Sequence, residues 1–166
     1  MELVLARRLF HTFCEDSNVA GFTNRGKKAI LDSTFHADAL PSTYKLHLVS
    51  TIPDADTNTL GDLTEISGGG YAAKSLSKNS TDFNVGPTED DSSDIAYVRI
   101  ANQSWTASGG SIGEAKFMVL TDDNATESDR EVWGFFDLRD GSGNGRTVTD
   151  GQSLTVQNAE IRLSES

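Results

Sequence analysis

Tyr44-Lys45-Leu46-His47-Leu48-Val49 sets the fold class. In an extended chain residues i, i+2 and i+4 share a face. Tyr44, Leu46 and Leu48 therefore point one way and alternate with Lys45, His47 and Val49, the pattern of a half-buried strand with His47 outward. Downstream the same period returns. Gly68-Gly69-Gly70 precedes a short, marginal strand from Tyr71 to Leu76. Ile95 to Ile100 is apolar on both faces apart from Arg99, which predicts a place in a sheet interior. In Lys116 to Thr121, Phe117 and Val119 oppose Met118 and Leu120.

Glu131 to Leu138 is the most apolar stretch, and alternation places Trp133 and Phe135 together on a core face. Asp140-Gly141-Ser142-Gly143-Asn144-Gly145 is a loop. Between Ser153 and Leu163 the parity changes: Leu154 and Val156 share one face, whereas Ala159, Ile161 and Leu163 sit on odd positions. That change, at Gln157-Asn158, predicts a bulge or a bend between two short strands. Short strands separated by turn signals make the fold class mainly β: an antiparallel β-sandwich with one or two short N-terminal helices.

Upstream, the period lengthens. Leu3, Ala6, Phe10 and Phe13 recur at helical spacing until Asp16-Ser17-Asn18 breaks the pattern. A helix this short is marginal alone in water, so its stripe must pack on something. Residues 1–21 are accordingly expected to form a helical docking arm, and residues 22–166 the β-sandwich domain. A second helix begins at Thr23 or Asn24, either of which can cap it, and presents Ile30, Leu31, Thr34 and Phe35 as one narrow face. Leu40-Pro41 closes that segment.

Composition narrows function. With 25 acidic against 14 basic residues the net charge is −11, which would repel a phosphate backbone, so no nucleic-acid partner is expected. No apolar run is long enough to span a bilayer, and the first residues lack the order of a signal peptide. The single cysteine, Cys14, cannot form an internal disulfide and is expected to be a buried free thiol.

Few residue patterns bear on chemistry. Gly109-Gly110-Ser111-Ile112-Gly113 has the spacing of a nucleophile elbow, but a β segment follows it and His11, His36 and His47 all lie upstream, so it reads as a turn. The histidines have no metallopeptidase spacing; His11 and His36 read as partly exposed helix residues. Asp54, Asp56, Asn58, Asp62 and Glu65 stand at the ligand positions of a calcium loop, yet Thr59 occupies the place where such a loop turns on Gly. A solvated loop is expected there, with no metal and no cofactor. Glu89-Asp90-Asp91 with Asp94 reads as a solvated hairpin edge. Trp105, beside Trp133, Tyr71 and Tyr97, is the residue best placed for a sugar-stacking platform, with core packing as the commoner fate of strand aromatics.

A resemblance adds to this reading. Phe22-Thr23-Asn24-Arg25-Gly26, Leu40-Pro41-Ser42-Thr43-Tyr44-Lys45-Leu46 and Ala55-Asp56-Thr57-Asn58-Thr59-Leu60 are similar to segments of small structural proteins of tailed bacteriophages. So, in the same order, are Thr64 to Tyr71, Asp82-Phe83, Thr88 to Asp91, Ser104 to Gly110, Val119 to Ala125, Arg130-Glu131-Val132, Val148 to Thr155 and Glu160 to Leu163. Proteins of that kind sit in tail fibres, minor tail structures or head decoration. The resemblance implies a non-enzymatic virion component, assembled in the host cytoplasm, whose partners are capsid, neck or tail proteins and further copies of itself. A head decoration or cement role comes first and tail or neck fibre attachment second. A carbohydrate-binding module touching the host surface is the rival of a different kind.

Overall fold

A computed structural model of the protein describes residues 12–13 and 20–164. The fold is mainly β, with one α-helix among the described residues. Two short strands, β1 (Thr12–Phe13) and β2 (Ala20–Phe22), precede the helix α1 (Asn24–Phe35). Then come β3 (Thr43–Val49), β4 (Lys74–Ser77), β5 (Val85–Asp90), β6 (Ile95–Arg99), β7 (Gln103–Thr106), β8 (Ile112–Ala115) and β9 (Phe117–Thr121). The last strands are β10 (Val132–Asp137), β11 (Arg146–Val148), β12 (Ser153–Val156) and β13 (Glu160–Ser164).

The central sheet has the order β2-β10-β9-β3-β4. Facing it are the sheets β1-β12-β7 and β13-β6-β5, and β11 pairs with β8 at one side. The strand pairings are antiparallel except that of β1 with β12. β12 and β13 are consecutive yet belong to different sheets, and Asn158, with φ 56°, turns the corner between them. The parity change at Gln157-Asn158 is thus the strand switch that joins two sheets.

The arrangement is sandwich-like. Tyr44, Leu46, Leu48, Met118, Leu120 and Phe136 from the central sheet pack against Ile100, Trp105, Leu154 and Val156. The opposite face of the same sheet is also buried, under a second cluster of Val49, Leu60, Phe117, Val119 and Val132. The stretch 57–66, which carries a 3-10 turn at Leu60–Asp62, covers that face by bonding its ends to β3 and β10: Ile66 N donates to Leu48 O, and Val132 N to Asn58 O.

Four expectations need correcting. Phe13 lies in a strand beside β12 instead of ending a helix, and Ala20 and Gly21 pair with β10, so the sheets reach into the expected arm. Leu3, Ala6, Phe10, His11 and Cys14 lie outside the described residues. In α1 the side facing the sheet is Gly26, Ala29, Ile30 and Ser33, whereas Leu31 and Phe35 are exposed. Gly26 explains this choice: a Cβ there would come within 2.8 Å of the Trp133 carbonyl carbon, so only glycine lets the helix backbone lie this close to β10. β6 is the middle strand of its sheet, but it is half-exposed. Finally, the pairing of β10 with β9 slips between Val132 and Gly134, making Trp133 the extra residue of a bulge. Trp133 therefore joins the main core while Phe135 faces the second cluster.

Candidate functional site

His47 is fully buried, not outward. Since β9 is apolar on both faces and pairs with β3, the second face of β3 is covered as well, and His47 sits beneath the covering loops. Glu65 arrives on the stretch that runs back along β3, where it pairs with Val49 in an isolated bridge. Tyr71 follows Gly68-Gly69-Gly70, each with positive φ. A Cβ on Gly69 would lie 2.6 Å from the Gly110 carbonyl oxygen, so this turn needs glycine to seat against the 109–112 loop. Arg130 comes from the end of the 3-10 turn Glu127–Asp129.

These four side chains meet. His47 Nδ1 lies 2.7 Å from Glu65 Oε1, and the Tyr71 hydroxyl donates to the same oxygen at 2.7 Å. Tyr71 also accepts from the Leu48 N–H at 2.8 Å, although that amide belongs to a buried strand. Arg130 Nη1 lies 3.4 Å from His47 Nε2 and 2.7 Å from Glu127 Oε1, while its Nε donates to Asn124 O. Burial would raise the Glu65 carboxyl, but the hydrogen bonds from His47 and Tyr71 outweigh it and hold the group below the ordinary value. Burial, with the Glu65 carboxylate alongside, pushes the Tyr71 phenol well up.

A carboxylate on one ring nitrogen of a histidine is how many catalytic bases are oriented. Here the other nitrogen faces a guanidinium, which has donors only and so occupies the position a substrate proton would need. His47, Glu65 and Glu127 also form a group of metal-type donors within 4.8 Å of one another. Arg130 already bonds two of the three, so the cluster carries its own fixed cation. Its evident work is to clamp three covering segments to β3.

The candidate calcium loop does not converge. Asp54 accepts from the Asp56 amide and the Thr57 hydroxyl, and Asp62 from the Asn58 and Thr59 amides. Asp56 accepts from Asn24, Asn58 from Arg25, and Glu65 points inward to His47. Trp105 is 2% exposed, and its indole N–H donates to Ala72 O, so the candidate sugar contact is a core residue. Ser111 is exposed on a turn followed by β8, with no helix behind it. His36 is exposed beside Asp32. Glu89, Asp90, Asp91 and Asp94 lie on the β5–β6 hairpin, where Asp90 accepts from Ser92.

A second feature was invisible in the sequence. Where the central sheet and β13-β6-β5 diverge, an apolar groove of about 590 Å³ opens between them. Phe22, Tyr44 and Trp133 form one wall, and Val98, Ile161 and Leu163 the other. Tyr44 is held edge-on between Phe83 and Trp133, with ring centroids 6.0 and 5.3 Å away. Trp133 is 7% exposed, and its indole N–H finds no acceptor among the described residues. Leu40 and Trp133 also border a polar cleft carrying Asp32, Asp38, Asp122 and Glu131.

Among the described residues, no helix is long and apolar enough to cross a membrane. The chain matches no protein-family model, no curated protein and no solved structure.

Proposed function

We infer that this protein is a non-enzymatic structural component of a tailed-bacteriophage particle, a head decoration or cement protein that docks on capsid proteins. The order of the segments similar to phage structural proteins motivates the reading. The observation that carries it is the contrast between the two concave features. The polar cluster that resembles a reacting centre is closed by its own arginine, whereas the roomy groove is apolar and suited to another protein. An acidic body also limits non-specific association at the high local concentration of an assembling particle.

Mass spectrometry of purified virions tests this. Copy number in proportion to the capsid lattice is expected. A number matching a single neck or tail would move the protein to fibre attachment, and absence from particles would overturn the virion reading. The carbohydrate-module alternative loses its principal residue with Trp105 buried. Specific binding on a glycan array would nevertheless restore it.

A further inference from the structure

We propose that the apolar groove is the receptor for residues 1–11 of a second copy of this chain. This goes beyond the virion reading and does not require it, since such a contact would operate in any self-assembling protein.

The groove has the lining of a surface that binds an apolar segment. Its walls are apolar side chains from two sheets that fail to close on each other, and exposed Leu163 stands at one lip. An inserted peptide segment offers the apolar side chains that such walls would bury.

Residues 1–11 have matching chemistry. Leu3, Val4, Leu5, Leu9 and Phe10 are apolar, and Arg7-Arg8 is a basic pair in a strongly acidic protein. The cleft adjoining the groove is acidic: Glu131 engages Arg25 and Asp32 engages Lys28, leaving Asp38 and Asp122 in excess. Apolar residues in the groove and arginines over the cleft would satisfy both surfaces.

Strand direction selects a second copy over the chain's own arm. β1 runs parallel to β12, with Thr12 opposite Leu154 and Phe13 opposite Thr155. Moving back from Thr12 therefore leads past Ser153 toward Gln152, while β12 proceeds the other way into β13, a wall of the groove. The chain enters β1 from the end remote from its own groove. At full stretch a segment of eleven residues spans at most roughly 35 Å, enough to cross to a neighbour. A head-to-tail contact of this kind closes into a ring or a swapped pair, or propagates as an array.

Sedimentation of the full chain and two full-length variants tests the proposal. Ala96→Arg places a charge at the groove from an exposed strand position, and Leu5→Asp spoils the arm. The wild type should self-associate, and each variant should weaken association at least about tenfold. Mixing the two variants is the decisive arm: one supplies an intact arm and the other an intact groove, so they should pair one to one. A monomeric wild type would overturn the proposal. So would association indifferent to both changes, failure of the variants to pair, or a small apolar molecule found in the groove by native mass spectrometry. If Ala96→Arg does not fold, Leu163→Asp replaces it from the neighbouring strand of the same wall.

Discussion

Gly26 and His47 are single positions where neighbours, not composition, decide what a residue does. A methyl group at position 26 would collide with the backbone of Trp133, which cannot swing aside as a side chain can. Alanine is the better helix former by about 0.5–1 kcal/mol, yet Gly26→Ala should destabilise the protein by about 1–3 kcal/mol or more. A lower urea midpoint with an unchanged slope would register that loss, and a raised midpoint would show that the helix can retreat from β10. Tyr71→Phe should cost about 1–3 kcal/mol as well, because it strips a donor from Glu65 and an acceptor from the buried Leu48 amide. His47 was misread as outward because alternation within one strand says nothing of what lies above it. The signal was in a different stretch: Phe117 to Thr121 is apolar on both faces, so a strand paired with it must be covered on both.

At the scale of elements, the strand of 44–49 was legible because period two is a direct imprint of burial on a pleated sheet, and those of 95–99 and 117–121 as short, nearly unbroken apolar runs. The bulge in β10 was not legible. Nothing in Val132-Trp133-Gly134-Phe135-Phe136 marks where the register slips, and the slip alone sends Trp133 and Phe135 to different clusters. The start of α1 was legible through Thr23, whose hydroxyl accepts from the Gly26 amide and donates to Val132 O. Thr23→Val keeps the shape and removes both bonds, so it should cost about 0.5–2 kcal/mol for the cap, with an added penalty at β10. Thr23→Ser should recover most of it, and thermal melts of the pair would show the order. The buried side of α1 was missed because large apolar residues were taken as its guide, while the small ones permit the close approach.

At the scale of the whole molecule, the mainly-β class followed from turn spacing, whereas the groove arises from how two sheets diverge, a property no local pattern carries. Stability of the intact protein should depend on acid through Glu65. Its folded pKa lies below the ordinary 4.5, so its contribution is complete above that value and is lost as pH falls through the folded one. Glu65→Gln should therefore melt well below the wild type at neutral pH, and the gap should narrow in acid. A gap constant with pH would mean that the carboxylate charge is not what matters. The central sheet also sets a clock. β3 and β9 are covered on both faces and flanked by strands, so solvent reaches their amides only when large parts of the structure open together. In deuterium exchange, Leu46 to Val49 and Met118 to Leu120 should be the last amides to label, at the rate of global unfolding, while the half-exposed β5–β6 hairpin labels long before them.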